Sequence, residues 1–423
     1  MSVTDRTSMP DSANDGQPTR LLLLTHEYPF DIGDAAFVRN EIQALSEAFA
    51  EVVIVSLTSP DAPRLPLPAN VTYLGAVGTP TAARAIRGML SPKRALRALR
   101  VFGAEGGQRS TAQLRRDLIA TLSGAYFASH RSVREAMRTE RPVTVYSYWG
   151  VDIAYVLPWL RSGADRVAVR VHRYDLDERT AGYRPIRRSV LGNADVVLSI
   201  SDSGREYLLE RAPFISPEKI VVRRLGIPAQ PRELEQMPEG RTVHLVSCSS
   251  AIERKRVDRI LATAIELARR GRTIRWTHFG DGPLFEELRG NAERAASEIP
   301  DLTVQLPGRV STAALMERYR AERPSVFINL SADEGIPVSA MEAACFGIPI
   351  VATDVGSTDE LVGDELGSGL LVEMDDDIQT IASAVERVLD SPALFDSRRV
   401  WAERYDSTVN SHTAAAAVAG IQP

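Results

Sequence analysis

Short runs of branched apolar residues recur along the chain and alternate with segments of helical spacing. The first such unit consists of RLLLLTH at 20–26, a helical segment at 36–49 and EVVIVSL at 51–57. A strand, a helix and a second strand in this order form a βαβ unit, which belongs to a parallel sheet with helices on its faces. The pattern therefore predicts an α/β fold.

The same pattern runs through the chain twice. In the first half, further strands are predicted at 143–148, 166–172 and 195–201. RRLGIPAQPR, at 223–232, then interrupts the alternation with two prolines and a glycine. The second half begins again, with strands at 243–249, 273–280, 302–308, 325–331 and 348–353 and helices at 256–271 and 378–391. Two α/β halves that face each other place a ligand in the cleft between the carboxyl ends of their strands.

Length and composition agree with two soluble domains. A chain of 423 residues is too long for one compact core. We expect a polar, disordered tail over 1–18, a first domain over 19–228 and a second over 229–399. A net charge of -5 argues against a dedicated nucleic-acid binder. The two cysteines lack metal-ligand spacing, and the sequence has neither a membrane span nor a signal peptide pattern, so we expect a cytoplasmic protein.

One segment departs from the alternation. TAARAIRGMLSPKRALRALR, at 81–100, carries six basic residues and no acidic one, interleaved with Ile, Met and Leu. Two interpretations stay open: a solvated surface helix, or a helix that lies on an anionic membrane or grips a lipid-linked acceptor. The second would bring the protein to the inner face of the cell membrane as a peripheral protein.

The segment EGIPVSAMEAACFG, at 334–347, combines a predicted helix start with free backbone donors. Pro337 suits the first helical position, and Gly347 suits the cap at the carboxyl end. The N–H groups of Gly335, Ile336 and Val338 would then be free to bind an anion such as a phosphate.

Two carboxylates stand on either side of this predicted phosphate site. Glu334 precedes the helix, and Glu342 lies in its second turn. Carboxylates accept paired hydrogen bonds from vicinal diols, which both sugars and ribose present. On spacing alone, an alternative is that Glu334 completes an N-terminal charge pattern and Glu342 reaches solvent.

The longer segment SADEGIPVSAMEAACFGIPIVATDVG resembles the Glu-x7-Glu signature of the retaining family-4 glycosyltransferases. The resemblance implies the GT-B fold, in which two Rossmann-like, doubly wound parallel-sheet domains face each other across a cleft. It implies that Glu334 lies beside the hydroxyls of the donor sugar and that Glu342 binds the ribose. It also implies that the residues at 400–423 form a terminal helix that crosses back to the first domain.

The resemblance extends to the residues expected around the donor diphosphate. SCSSAIERKRVDRILATA, at 247–264, is similar to the strand, loop and helix of the family that carry a basic pair, and Lys255 falls at the family's lysine. Ser250 replaces the usual arginine, so Arg254 or Arg256 is the candidate for the second cation, since arginine suits phosphate.

Two further segments match the expected surroundings of the nucleotide. HFGDGPLFEEL, at 278–288, resembles the family's Gly-x-Gly-Pro turn, which places Gly280 and Gly282 beside the nucleotide. GRV, at 308–310, resembles the segment that meets the base, which gives Arg309 and Val310 contacts through backbone groups.

The first half contributes fewer candidates. HEYPFDIGDAAF, at 26–37, resembles the family's first loop, where Gly33 allows close backbone approach to the donor. YSYWG and RVHRYDLDE resemble members associated with bacterial cell-surface polysaccharides, and His172 falls where a histidine contacts the donor sugar. Asp175 and Asp177 superficially match an Asp-x-Asp metal motif of another fold, but we expect no metal.

Together these features predict a metal-independent, retaining glycosyltransferase without a cofactor. The donor would be a nucleotide-diphosphate sugar of the UDP or GDP type, and the acceptor a hydroxyl of a glycan or lipid-linked molecule in cell-surface polysaccharide or glycolipid synthesis. Two alternatives stay open: a nucleotide-sugar epimerase on the same fold, and a non-catalytic partner subunit that binds nucleotide sugar.

Overall fold

A computed structural model describes residues 20–81, 91–176, 178, 182–230 and 242–421. The predicted tail over 1–18 lies outside these residues, as do 82–90 of the basic segment. None of the helices within the described ranges is both long and apolar enough to cross a membrane.

The first half forms a seven-stranded parallel sheet in the order β3-β2-β1-β4-β5-β6-β7. Its strands are β1 Arg20–Thr25, β2 Glu51–Ser56, β3 Val71–Ala76, β4 Val143–Ser147, β5 Arg166–Val171, β6 Val196–Ser199 and β7 Ile220–Val222. The strand order reverses between β1 and β4, which is where open α/β sheets bind ligands.

The second half forms a six-stranded parallel sheet in the order β10-β9-β8-β11-β12-β13. Its strands are β8 Thr242–Cys248, β9 Thr273–Phe279, β10 Leu302–Gly308, β11 Val326–Asn329, β12 Ile350–Thr353 and β13 Gly369–Val372. This order reverses between β8 and β11. The predicted α/β fold with two parallel sheets is confirmed, although the sequence pattern missed β3, β7 and β13.

Helices cover the faces of both sheets. They are α1 Ala35–Ala48, α2 Pro92–Ala104, α3 Thr111–Ser129, α4 Arg131–Ala136, α5 Leu157–Leu160, α6 Arg173–Leu176, α7 Arg187–Leu191, α8 Asp202–Arg211, α9 Val257–Arg269, α10 Phe285–Glu298, α11 Thr312–Glu322, α12 Val338–Cys345, α13 Ile378–Asp390, α14 Ser397–Arg404 and α15 Ser407–Ala419.

The apolar runs are explained by burial on both faces of each sheet. In β1, Leu22 and Leu24 belong to one hydrophobic cluster, whereas Leu21 and Leu23 belong to the cluster on the opposite face. Strands of a parallel sheet that is covered on both sides need apolar side chains in both directions, so they do not alternate with polar residues.

The carboxyl-terminal segment crosses between the domains. Instead of one helix over 400–423, the structure has α14, which packs on α12 of the second domain, and α15, which packs on α1 of the first. Asp406 begins α15 by accepting a hydrogen bond from the Thr408 amide at 2.8 Å. Beside this crossing, the Ile227 amide donates to the Tyr405 carbonyl at 2.9 Å, so both passages of the chain between the domains lie side by side.

Candidate functional site

A cavity of about 620 Å³ lies between the two domains at the carboxyl ends of their strands. The first domain contributes Phe37, Trp149, His172 and Arg173 to its wall, and the second contributes segments that follow β8 and β11. The topology of both sheets therefore brings together side chains that are far apart in the sequence.

Lys255 and Glu334 meet in the wall of this cavity. Lys255 ends a single helical turn after β8, and its ammonium pairs with the Glu334 carboxylate. Asn329, the last residue of β11, donates from its amide to the same carboxylate at 3.3 Å. A cation and a hydrogen-bonding carboxylate thus stand next to each other where a charged, hydroxyl-rich ligand would lie.

The start of α12 forms the adjacent part of the wall. The N–H groups of Gly335, Ile336 and Val338 donate to no residue in the described ranges, although Gly335 and Ile336 line the cavity. Contrary to the prediction from the sequence, Pro337 does not occupy the first helical position. Its ψ of 116° is extended, so it is the residue that precedes the helix. The free amides at a helix start form a site suited to an anion.

Gly347 ends this helix as the sequence predicts. Its φ is 76°, in the left-handed region, and the Ile348 amide donates back to the Ala343 carbonyl at 3.2 Å. The glycine therefore fixes where α12 stops and β12 begins.

Glu342 is buried in the middle of α12, only 8% exposed, and does not line the cavity. Its carboxylate makes no hydrogen bond to any described residue, and burial raises its pKa to about 7 against a smaller opposing effect of Arg39 on α1. The alternative that Glu342 reaches solvent is wrong. A buried carboxylate without donors is able to accept hydrogen bonds from a diol, but Glu342 does not line the cavity, so its implied contact with the ribose stays a prediction.

His172 follows β5 and faces the second domain across the cavity. Asp175 accepts hydrogen bonds from its backbone amide at 2.8 Å and from its Nδ1 at 3.3 Å, and the Trp149 ring lies 4.2 Å from the imidazole. Its Nε2 is buried without a hydrogen-bonding partner among the described residues. Burial lowers the pKa of His172, which keeps the imidazole neutral.

Asp34 organises the first loop behind this histidine. Its carboxylate accepts from the His26 and Tyr28 amides at 2.7 Å each and from the Trp149 indole at 3.2 Å. Gly33 lies in this loop with a φ of 57°, but it does not line the cavity. The glycine is required by its own backbone conformation, and the role beside the donor implied for Gly33 stays a prediction.

The cations around the predicted diphosphate site are not all those that the sequence predicts. Arg254 lines the cavity, 3.6 Å from Asp333. Arg256 does not, because its φ of 50° begins α9 in the left-handed region and its guanidinium donates to the Met374 carbonyl at 2.9 Å. Arg173 of the first domain, which the sequence analysis overlooked, pairs with Asp333 and donates to the Glu334 carbonyl. Its only sequence signal is its position directly after His172.

The Gly-x-Gly-Pro turn supports the cavity wall from behind. Gly280 and Gly282 have φ of 137° and 153°, and a Cβ at either would collide with the backbone carbonyl of Ser249 or Ala251. Arg309 is exposed and Val310 is half-buried beyond β10. None of these four predicted residues lines the cavity.

Metal ligands are sparse in this region. In the described ranges, no group of three or more His, Cys, Asp and Glu side chains is arranged to hold a metal ion. Asp175 of the Asp-x-Asp segment is engaged with His172, and Asp177 lies outside the described residues.

Sequence comparisons relate the second domain to a known family. Residues 242–391 match the family model described as Glycosyl transferases group 1. The putative colanic acid biosynthesis glycosyltransferase WcaL of Salmonella typhimurium is 28% identical over 223 residues, which cover 52% of this chain and 54% of that protein. WcaL of Escherichia coli K12 is 27% identical over 216 residues, covering 50% and 52%. The matches thus span about half the length of these relatives.

Structural comparisons cover nearly the whole chain. The lipopolysaccharide outer core galactosyltransferase WaaB in its apo form superimposes with a TM-score of 0.65 at 15% identity, covering 95% of this chain and 99% of WaaB. HepE of Anabaena in complex with UDP gives a TM-score of 0.63 at 12% identity, covering 95% and 100%. These similarities and the two facing parallel sheets confirm the predicted GT-B fold.

Proposed function

We propose that this protein is a glycosyltransferase that moves a sugar from a nucleotide-diphosphate sugar to a hydroxyl of a glycan or lipid-linked acceptor in cell-surface polysaccharide or glycolipid synthesis. The observation that carries the proposal is the grouping of Lys255, Glu334 and the free amides of Gly335 and Ile336 in one interdomain cavity. The match of 242–391 to a glycosyltransferase family and the relatives named for colanic acid synthesis support it.

The diphosphate of the donor binds at the start of α12. The free amides there donate to phosphate oxygens, and the Lys255 ammonium supplies a positive charge that Arg254 or Arg173 supplements. Negative charge develops on the diphosphate as the bond to the sugar breaks. Groups held in place to meet that charge stabilise the transition state more than the bound donor, which is the origin of the rate enhancement.

Glu342 and Glu334 divide the recognition of hydroxyl groups. Glu342 accepts from the ribose diol, because its carboxylate is otherwise buried without donors. Glu334 accepts from the donor sugar, which exchanges part of the Lys255 ion pair for hydroxyl contacts. His172 approaches the sugar from the opposite domain with its unpartnered Nε2.

The transfer proceeds with retention and without a metal ion. The described carboxylates that line the cavity are Glu334 and Asp333, both of which pair with cations, and we assign neither of them the role of a covalent nucleophile. The contact of Arg173 with the Asp333–Glu334 loop joins the two domains over the cavity. Keeping this closed arrangement during transfer excludes water, whose attack would hydrolyse the donor.

Two neighbouring cations provide a direct test. Binding of UDP, GDP and ADP is measured by thermal shift, because a ligand of the native state raises its stability. Lys255→Ala should reduce the shift with the preferred nucleotide, whereas Arg256→Ala should preserve it in full, since Arg256 points away from the cavity. Equal effects of both variants, or of neither, would refute the assignment of the diphosphate site.

Turnover then separates the function from its alternatives. Release of free nucleotide from the preferred nucleotide sugar should require an acceptor extract from the cell surface and should persist in EDTA, and nuclear magnetic resonance of the product reports retention. Conversion of the donor sugar without nucleotide release would instead identify an epimerase. Tight binding without either reaction would identify a non-catalytic subunit.

A further inference from the structure

The exposed sides of the neighbouring helices α2 and α3 form a surface that the proposed donor site does not use. We name it the basic–apolar face. Residues 91–129 contain seven basic and two acidic residues in a chain whose net charge is -5. Both acidic residues face inward: Asp117 is fully buried beside Arg109, and Glu105 accepts from the Arg188 and Ser189 amides. The outward charge is therefore positive.

Large exposed apolar side chains are concentrated on the same two helices. Leu96 and Leu99 on α2 are 52% and 71% exposed, and Leu118 and Ile119 on α3 are 47% and 54% exposed. These four are more than a third of the eleven large hydrophobic side chains that are exposed in the described ranges. Exposed clusters of this kind mark interaction sites.

The spacing of α2 mixes the two kinds of side chain on one surface. Lys93, Leu96 and Arg100 are exposed at helical intervals, whereas half-buried Arg97 donates to the Ser162 hydroxyl at 2.9 Å. The opposite side of the helix buries Ala98 and Val101 in the first domain. Helix α3 repeats the arrangement with exposed Arg115 next to Leu118 and Ile119. A helix with a buried face against its domain and an outer face of leucine and basic residues suits the boundary of an anionic bilayer.

We propose that the basic–apolar face docks the protein on an anionic membrane surface. Leucine and isoleucine side chains enter the acyl boundary, while lysine and arginine side chains pair with lipid phosphates, and the long aliphatic stems of these cations cover the apolar side chains between them. The proposal uses the described part, 91–100, of the basic segment noted in the sequence at 81–100. It also includes α3, which the sequence analysis did not connect with that segment.

The face is linked mechanically to the proposed site. Asp117 of α3 accepts hydrogen bonds from the Tyr183 hydroxyl and from the Ile186 amide at 3.0 Å. These residues belong to the segment that returns after His172 and α6. Docking would therefore hold the first domain against the bilayer by a helix, α3, that also anchors the segment beyond His172.

The test is sedimentation of the full chain with vesicles, without any nucleotide sugar. Binding is expected with vesicles that contain one-third phosphatidylglycerol and not with pure phosphatidylcholine, and high salt should release the protein. The double variant Leu99→Glu/Arg100→Glu should bind about tenfold more weakly or worse, since each cation near an anionic surface changes affinity about fivefold. Both side chains are exposed, so the thermal midpoint should not change.

A matched double variant in the second domain controls for general charge and hydrophobicity. Leu394 is 64% exposed and Arg294 is also exposed, so Leu394→Glu/Arg294→Glu makes the same chemical change elsewhere. Equal loss in both double variants, or no binding by the unmodified chain, would overturn the proposal. A dimer that Leu99→Glu/Arg100→Glu dissociates would show instead that the face binds a second copy. The assay contains no donor, so its failure would leave the proposed sugar transfer standing.

Discussion

Replacing Glu342 by glutamine should stabilise the fold at alkaline pH while it weakens nucleotide binding. Burial raises the pKa of this carboxyl from 4.5 to about 7. The protonated form is thus favoured in the folded protein, so the native state loses stability as pH rises from 4.5 to 7. Above that range the full cost of ionising the buried group is about 3 kcal/mol, because each factor of ten in the acid constant corresponds to about 1.4 kcal/mol.

Glutamine has nearly the same shape and no charge, so it removes that cost. At pH 8, Glu342→Gln should be more stable by up to about 3 kcal/mol, a rise of about 6 to 12 °C in thermal midpoint for a domain of this size. At pH 5 the difference should fall below about 1 kcal/mol, because the native carboxyl is then protonated. The affinity for nucleoside diphosphate at pH 8 should drop about tenfold or more, since a charged acceptor is lost.

Glu360 provides the control for this experiment. It is also 8% exposed, but it pairs with Arg224 at 2.7 Å and accepts from the Ser203 amide at 3.0 Å. Glu360→Gln should therefore destabilise the protein at both pH values. Denaturation scans at pH 5 and pH 8, with and without nucleotide, measure all of these effects. A Glu342→Gln protein that is less stable than the unmodified chain at pH 8, or equally shifted at both pH values, would refute the reasoning.

Three further changes test the groups around the cavity. Lys255→Ala should lower kcat about a hundredfold or more, because it removes a fixed charge from the leaving diphosphate. An unchanged single-turnover rate would contradict this. Asp175→Asn should lower kcat with little change in the donor KM. It should also move the acidic limb of the pH–rate profile to lower pH, because the Asp175 carboxylate raises the pKa of His172 against the larger lowering by burial. A change in KM alone would argue against a role of Asp175 in positioning His172. Gly280→Ala should lower the free energy of unfolding by about 2 kcal/mol or more through backbone strain. Gly290→Ala, in open space on a helix, should raise the free energy of unfolding by about 1 kcal/mol. Equal denaturation midpoints of the two variants would contradict this prediction.

The sequence predicts the sheets well where strands are long and buried on both faces. RLLLLT and EVVIVS are apolar throughout, and they became β1 and β2. The strand pattern fails for VTYLGA at 71–76, IVV at 220–222 and GLLV at 369–372, because each lies at an edge of its sheet and none is buried throughout. These strands are defined by the neighbours with which they pair, and such neighbours are distant in the sequence.

The site is predicted from motifs and less so from single side chains. Lys255, Glu334 and His172 all line the cavity. The side chain of Arg256 points elsewhere because its backbone is left-handed, a conformation that the local sequence does not predict. The contribution of Arg173 was also missed, because its partners Asp333 and Glu334 lie in the other domain. Contacts across a domain interface follow from topology, which residue spacing does not encode.

The returning carboxyl terminus determines how this chain can be divided. Ala414, Ala415 and Val418 of α15 lie in the same hydrophobic cluster as Leu21 and Leu23 of β1. A fragment that contains only the first domain and ends before the second would therefore lack part of its hydrophobic core. A chimaera that takes the first domain from a homologue must also take α15 from that homologue. The protein is continuous in sequence but interleaved in space, with its final segment serving as a structural part of its beginning.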